Sequence, residues 1–130
     1  MKFRFEAILK LRKNKETAAQ KVLAVVNSHL LKQQDQLLFM ESIETKSEMD
    51  LNARMKESAS IPMMTLYDDF FKGVRSQEKQ QSKIIKEISS QMEIRRSELV
   101  QAMAKRRIME FLKERDILAH DTKLRKREVE

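Results

Sequence analysis

Cysteine and tryptophan are absent from this 130-residue chain, and glycine and proline occur once each, as Gly73 and Pro62. Without cysteine there is no disulfide framework and no thiolate metal site, and the chain suits a reducing compartment. A compact α/β or all-β domain of this length needs many glycine, proline and asparagine turns, which are missing. A phosphate-cradling loop needs several glycines and is excluded for the same reason. Aromatic residues make up only 5%. No apolar run approaches the roughly 20 residues of a transmembrane helix. The opening stretch, MKFRFEAILKLRKNK, carries charges throughout its apolar part, unlike a cleavable signal. It can be read as a basic amphipathic helix lying on a membrane, but the first turns of a packed helix are the simpler reading.

What is present is charge, 36% of residues, with abundant glutamate, lysine, glutamine, leucine, methionine and arginine. These side chains lose little rotamer freedom in a helix, and the bias is that of a long helix or coiled coil. Disorder is the competing reading of so charged a chain, and the periodicity of its apolar residues argues against it. One series in steps of seven runs Leu9, Glu16, Leu23, Leu30, Leu37, Glu44, Leu51; a second runs Phe5, Arg12, Ala19, Val26, Gln33, Met40, Ser47. Interleaved at three and four residues, they make one stripe down a helix, widened by Ile8, Val22 and Ile43. After the proline the pattern resumes as Phe71, Glu78, Ile85, Met92, Leu99, Arg106 and Val74, Gln81, Ile88, Arg95, Ala102, Met109. Past Met109 the phase is read as slipping to Leu112, Leu118 and Ala119.

Pro62 lies near the midpoint, between the two patterns. Proline is not tolerated deep inside a helix, and it biases Ile61 away from the α region. Ser58 and Ser60 add turn character, and Ser60 is placed to cap a helix with proline in its first turn. The expected fold is therefore all-α: a long antiparallel two-helix coiled-coil hairpin, bent near residues 58–62, with helices at about 4–57 and 63–125 in one domain spanning 1–130. A single helix kinked at Pro62 that dimerises is the alternative. The seam is interrupted by Glu16, Gln33, Arg95 and Arg106, so the core is thin and marginal by itself. Gly73 marks a soft point, costing about 1 kcal/mol relative to alanine in a helix.

The net charge of +7 is unevenly spread. Residues 1–32 carry eight basic and two acidic residues, and residues 105–130 nine basic and six acidic. Residues 33–71 carry three basic against eight acidic. A hairpin brings both termini together, giving a basic pole and an acidic one, which suggests a separate partner for each. Solubilisation alone accounts for high charge but not for its segregation.

Little in the chain suits catalysis or a cofactor. His29 and His120 stand alone, without a second ligand at helical metal spacing, and His29, beside Leu30, reads as a packing or solvent-edge histidine. The Asp68–Asp69 pair has no pocket to tune it, and two thin helices offer no concave site. The expectation is a non-enzyme with no cofactor, metal or small-molecule substrate. Nucleic acid is a rival, through KLRKNK and KLRKR at the two ends, but no zinc finger, helix-turn-helix or stacking aromatics accompany them. Pro62 also breaks the continuous helix of a basic zipper.

Three stretches resemble the flagellar FliJ family of type III export proteins. KFRFEAILKLRKNKETAAQKVLAV has an aromatic–basic–aromatic triplet followed by leucines, an arginine and an alanine-rich heptad. LYDDFFKGVRSQEKQQ resembles the start of that family's second helix, and AKRRIMEFLKERDILAHDTKLRKREVE its basic–apolar tail. The resemblance implies a central-stalk-like hairpin whose terminal end enters the pore of a hexameric export ATPase and promotes its assembly and hydrolysis. It implies contacts with the transmembrane export gate and with export chaperones. The place implied is the cytoplasm, peripherally at the inner membrane of the flagellar base, without membrane insertion. On this resemblance Phe3, Phe5, Leu9, Arg12 and Lys13, with Arg106, Arg107, Phe111, Arg115 and Lys123, contact the ATPase. Gln36, Met40 and Ile43, with Phe70, Val74, Gln77 and Gln81, contact the gate. Plain packing remains the simpler role for Met40 and Val74. Ser47 stands where the family often has an aromatic residue, and methionines such as Met63 and Met64 would offer an adaptable surface. A generic coiled-coil scaffold and a basic nucleic-acid binder remain as alternatives.

Overall fold

The computed structural model describes residues 5–58 and 60–129. It holds two α-helices, α1 (Glu6–Glu57) and α2 (Ile61–Val129), in an antiparallel all-α hairpin. Phe3 and residue 4, the expected start of the first helix, lie outside the described residues. Helix α1 opens with the Leu9 amide donating to the Phe5 carbonyl at 2.9 Å, and Glu6 sits in the first turn, where its charge suits the helix dipole. At its other end Arg54 and Lys56 sit in the last turn, where positive charge suits the helix dipole.

The start of α2 shows how local chemistry breaks the chain. The Ser60 carbonyl accepts the first intrahelical bond, from the Met64 amide at 3.1 Å, and its Oγ accepts from the Met63 amide at 3.3 Å. Ser60 is thus the N-cap, and Pro62 falls in the first turn, where no amide hydrogen is needed. The helix begins at Ile61, ahead of the expected start near residue 63. The bias that proline places on its predecessor yields here to the cap. At the far end the helix reaches Val129, beyond the expected end near 125.

Packing divides the chain into two units. In the first, residues up to Val25 pair with residues from Met92 onward; in the second, residues 26–91 pair with one another across the turn. Both heptad series of α1 from Leu9 to Leu51 are buried or half-buried at every position, and so are both series of α2 from Phe71 to Met109. Only Leu9, Phe71 and Ile88 are fully buried apolar residues among those described.

Of the four polar interruptions named above, the two on α1, Glu16 and Gln33, meet partners on α2. In the first unit Glu16, only 8% exposed, accepts from Nε of Arg106, whose Nη1 also donates to Glu110 at 2.7 Å. In the second, the Gln81 amide donates to the Gln33 backbone carbonyl at 2.9 Å and to its side-chain oxygen at 2.7 Å. Arg95 is satisfied within its own helix by Glu98. Matched polar pairs in a coiled-coil seam fix its register, because any slip leaves both partners unpaired.

One expectation is corrected. The phase does not slip after Met109. The same two series continue through Lys113, Asp116 and His120, all half-buried; of the residues expected instead, Leu112 is half-buried beside Lys113, while Leu118 is 65% exposed and Ala119 is also exposed. The helix keeps its register and lets polar residues occupy the seam, with Lys113 reaching Glu6 of α1 at 3.5 Å. A seam followed by its leucines jumps off the true stripe here. His120 is consequently the seam histidine, and His29 is exposed.

Candidate functional site

Each unit carries one surface of interest. The first unit contains both ends of the chain and eighteen basic against ten acidic residues, a net of +8. Phe5 sits at the exposed margin and Leu9 is buried against α2. Arg12 is half-buried and Lys13 exposed. On α2, Arg107, Phe111 and Arg115 follow at intervals of four, all exposed, so they share one face of the helix. Lys123 is exposed further along. Arg106 is turned inward, to Glu16; that hydrogen bond raises the guanidinium pKa above its ordinary value. Leu9 and Arg106 therefore serve the helix pairing, while Arg107, Phe111 and Arg115 face outward.

Two features of this unit do not stand out in the sequence. Ile108 and Leu118, 60% and 65% exposed, extend the face of Phe111 and Arg115, so apolar and cationic side chains alternate along it. Their signal lies in being apolar off the seam, which for Leu118 the expected phase slip hides. Between the helices, Arg12, Lys15 and Lys105 line a cleft of about 110 Å³ with Glu98, Gln101 and Ala102. Glu98 is engaged by Arg95, and among the described residues the three cations around the cleft have no close ion pair.

In the second unit, Gln36 and Gln77 are exposed, Met40, Ile43 and Val74 are half-buried, Phe70 is 42% exposed, and Gln81 is buried on Gln33. Met40, Val74 and Gln81 belong to the seam, so the surface available here narrows to Gln36, Gln77, Phe70 and the edge of Ile43. Phe70 opens instead onto a groove of about 300 Å³ shared with Ser47, Asp50, Leu66 and Tyr67. Its floor is organised by stacking and hydrogen bonding. Phe70 meets Phe71 edge-on at 5.7 Å, Tyr67 lies 6.3 Å from Phe71, and the Tyr67 hydroxyl donates to Asp50 at 2.6 Å. That bond to a carboxylate raises the Tyr67 pKa. The small Ser47 leaves room for the groove, and Tyr67 supplies an aromatic ring from the facing helix.

No group of acidic or histidine side chains among the described residues is arranged to hold a metal. No helix among them is long and apolar enough to cross a membrane. The exposed apolar residues are many, including Val25, Leu31, Leu38, Phe39 and Ile94 as well as those named above.

A family model described as "Flagellar FliJ protein" matches residues 1–129 of the chain. Comparison with curated proteins and with solved structures gives no match.

Proposed function

The chain belongs to the flagellar FliJ family, and from that premise we propose that it acts as a central-stalk-like component of the flagellar type III export apparatus. The family is a non-catalytic component of flagellar export, and the finer role concerns what each surface meets. The first unit enters the pore of the hexameric export ATPase and promotes its assembly and turnover. The second unit meets the transmembrane export gate, and exposed helix faces receive export chaperones. The protein works in the cytoplasm, peripherally at the inner membrane of the flagellar base.

The observation that carries the ATPase reading is the outward face of Arg107, Phe111 and Arg115 in a unit of net charge +8. Exposed guanidinium groups attract acidic loops over a Debye length of about 8 Å at physiological salt. Ion pairs between solvated groups are individually weak, about 0–1 kcal/mol, and their geometry is permissive, so they would let a stalk engage several subunits in turn. Phe111 adds an apolar anchor. For the gate, the groove at Phe70 and Tyr67 supports an aromatic contact that does not require the seam to open.

The experiment is ATP turnover by the cognate export ATPase near its assembly threshold, with and without this protein. Deleting residues 1–15 removes Leu9 and so disturbs the hairpin; the cleaner variant is R107E/F111S/R115E, whose side chains are exposed. Stimulation by the wild type and its loss in this variant, with helicity unchanged, are expected. An active ATPase indifferent to the folded protein refutes the stalk reading and favours a scaffold that binds elsewhere.

A further inference from the structure

Three polar layers cross the seam at facing positions, and they differ in chemistry. Glu16 meets the cation Arg106, and Gln33 meets the amide donor of Gln81. The third layer sets Glu44 of α1 against Glu78 of α2, both on the heptad stripes and both half-buried. Two ionised carboxylates have only acceptor atoms, so neither can donate to the other. The consequence is visible at Glu78, whose Oε1 is closed off from solvent with no hydrogen-bond partner.

The surroundings do not neutralise this pair. On α1, Glu41 adds a third negative charge facing Glu78. On α2 the cation acting on Glu78 is Arg75, whose Nε donates to Glu44 at 3.3 Å while the guanidinium lies 6.0 Å from the Phe71 ring centre. The Arg75 side chain is 64% exposed against 18% for Glu44, so solvent screens much of its charge. Three carboxylates thus share one screened cation, and what the layer lacks is a donor between Glu44 and Glu78.

We infer that Glu44 and Glu78 bind one proton between them, and that this proton fastens α1 to α2 at this level of the second unit. With the proton in place one carboxyl donates to the other, and a repulsive pair becomes a hydrogen bond. Without it the helices at this level are pushed apart. The electrostatics agree in direction: the hydrogen bond with Glu44, then burial, then the charges of Glu44 and Glu41 raise the Glu78 pKa, and Arg75 opposes them. A carboxyl whose folded-state pKa is raised binds more protons folded than unfolded. Its contribution to stability is therefore full at low pH and is lost as pH rises through the folded value, which lies above the ordinary one. The hairpin's second unit tightens on acidification and loosens as pH rises through that value, opposite to the dependence expected of a carboxylate paired with arginine.

The test uses the full chain. Carboxyl-carbon NMR follows Glu78 against pH in the wild type and in E44Q. The expected result is a Glu78 midpoint above that of a glutamate in a short unstructured peptide, moving down in E44Q. A wild-type midpoint at or below the peptide's overturns the inference. Independently, E78Q supplies a permanent amide donor to Glu44. Amide exchange at residues 41–47 and 75–81 should then be slowed roughly tenfold against the wild type at neutral pH, as for a gained hydrogen bond to a charged group. The difference should vanish in acid. A ratio independent of pH, or faster exchange in E78Q at neutral pH, also overturns it. The NMR titration needs no variant that might misfold.

Discussion

At the scale of single residues, the polar groups on the seam decide more than the apolar ones. Arg106 is shared between Glu16 and Glu110, whereas Glu16 has Arg106 as its cross-helix partner. Losing the arginine leaves a carboxylate only 8% exposed without its cation; losing the glutamate leaves the arginine still paired. Arg106→Ala should lower the unfolding midpoint more than Glu16→Ala does, compared by denaturant unfolding of the two variants. An equal cost would mean that Glu110 contributes nothing to holding the guanidinium. At Gly73, an added methyl group would meet nothing within 4 Å, and the position lies inside α2. Gly73→Ala should therefore stabilise the hairpin by about 1 kcal/mol, seen as a raised midpoint in the same measurement. The sequence marked Glu16, Gln33 and Arg106 as interruptions, but pairing them required knowing which turns of the two helices face each other.

At the scale of the elements, each helix is specified locally and the break between them is specified twice. Ser60 caps α2 and Pro62 occupies its first turn. Since the Ser60 hydroxyl bond is long at 3.3 Å, Ser60→Ala should cost about 0.5–1 kcal/mol, read as a small fall in the thermal midpoint with no loss of helicity at 5 °C. The continued seam of α2 offers a sharper check. Asp116 is half-buried on the stripe while Leu118 is exposed. Asp116→Leu should stabilise the first unit by about 1 kcal/mol, and Leu118→Asp should be nearly neutral to folding. The reverse ranking would restore the phase slip. The leucines misled the reading past Met109 because hydrophobicity reports where apolar residues are. It does not report which face the partner helix covers, and an exposed leucine on a binding face looks the same as one in a core.

At the scale of the whole molecule, composition and charge speak most directly. An almost glycine-free, proline-poor chain with one central break leaves few folds other than a helical hairpin, and a family match over residues 1–129 places it in flagellar export. If cationic side chains of the first unit recruit the ATPase, stimulation of turnover should fall severalfold between 50 and 300 mM salt as exposed charges are screened. The helicity of the protein alone should change little over that range, because its seam is held by burial and by sheltered pairs. Stimulation insensitive to salt would shift the contact to Phe111 and its apolar neighbours.

The sequence by itself determined the helices, the seam from Leu9 to Leu51 and from Phe71 to Met109, and the position of the break. Each follows from periodicity and backbone chemistry within a few residues. It also determined the charge carried by each stretch. Only the tertiary structure decided that Glu16 meets Arg106 and Gln33 meets Gln81, that Leu9 and Arg106 turn inward while Arg107 and Phe111 do not, and that Glu44 faces Glu78. Those facts depend on the register between two helices, which no heptad states by itself: a shift of seven residues preserves the stripe and changes every pair across it.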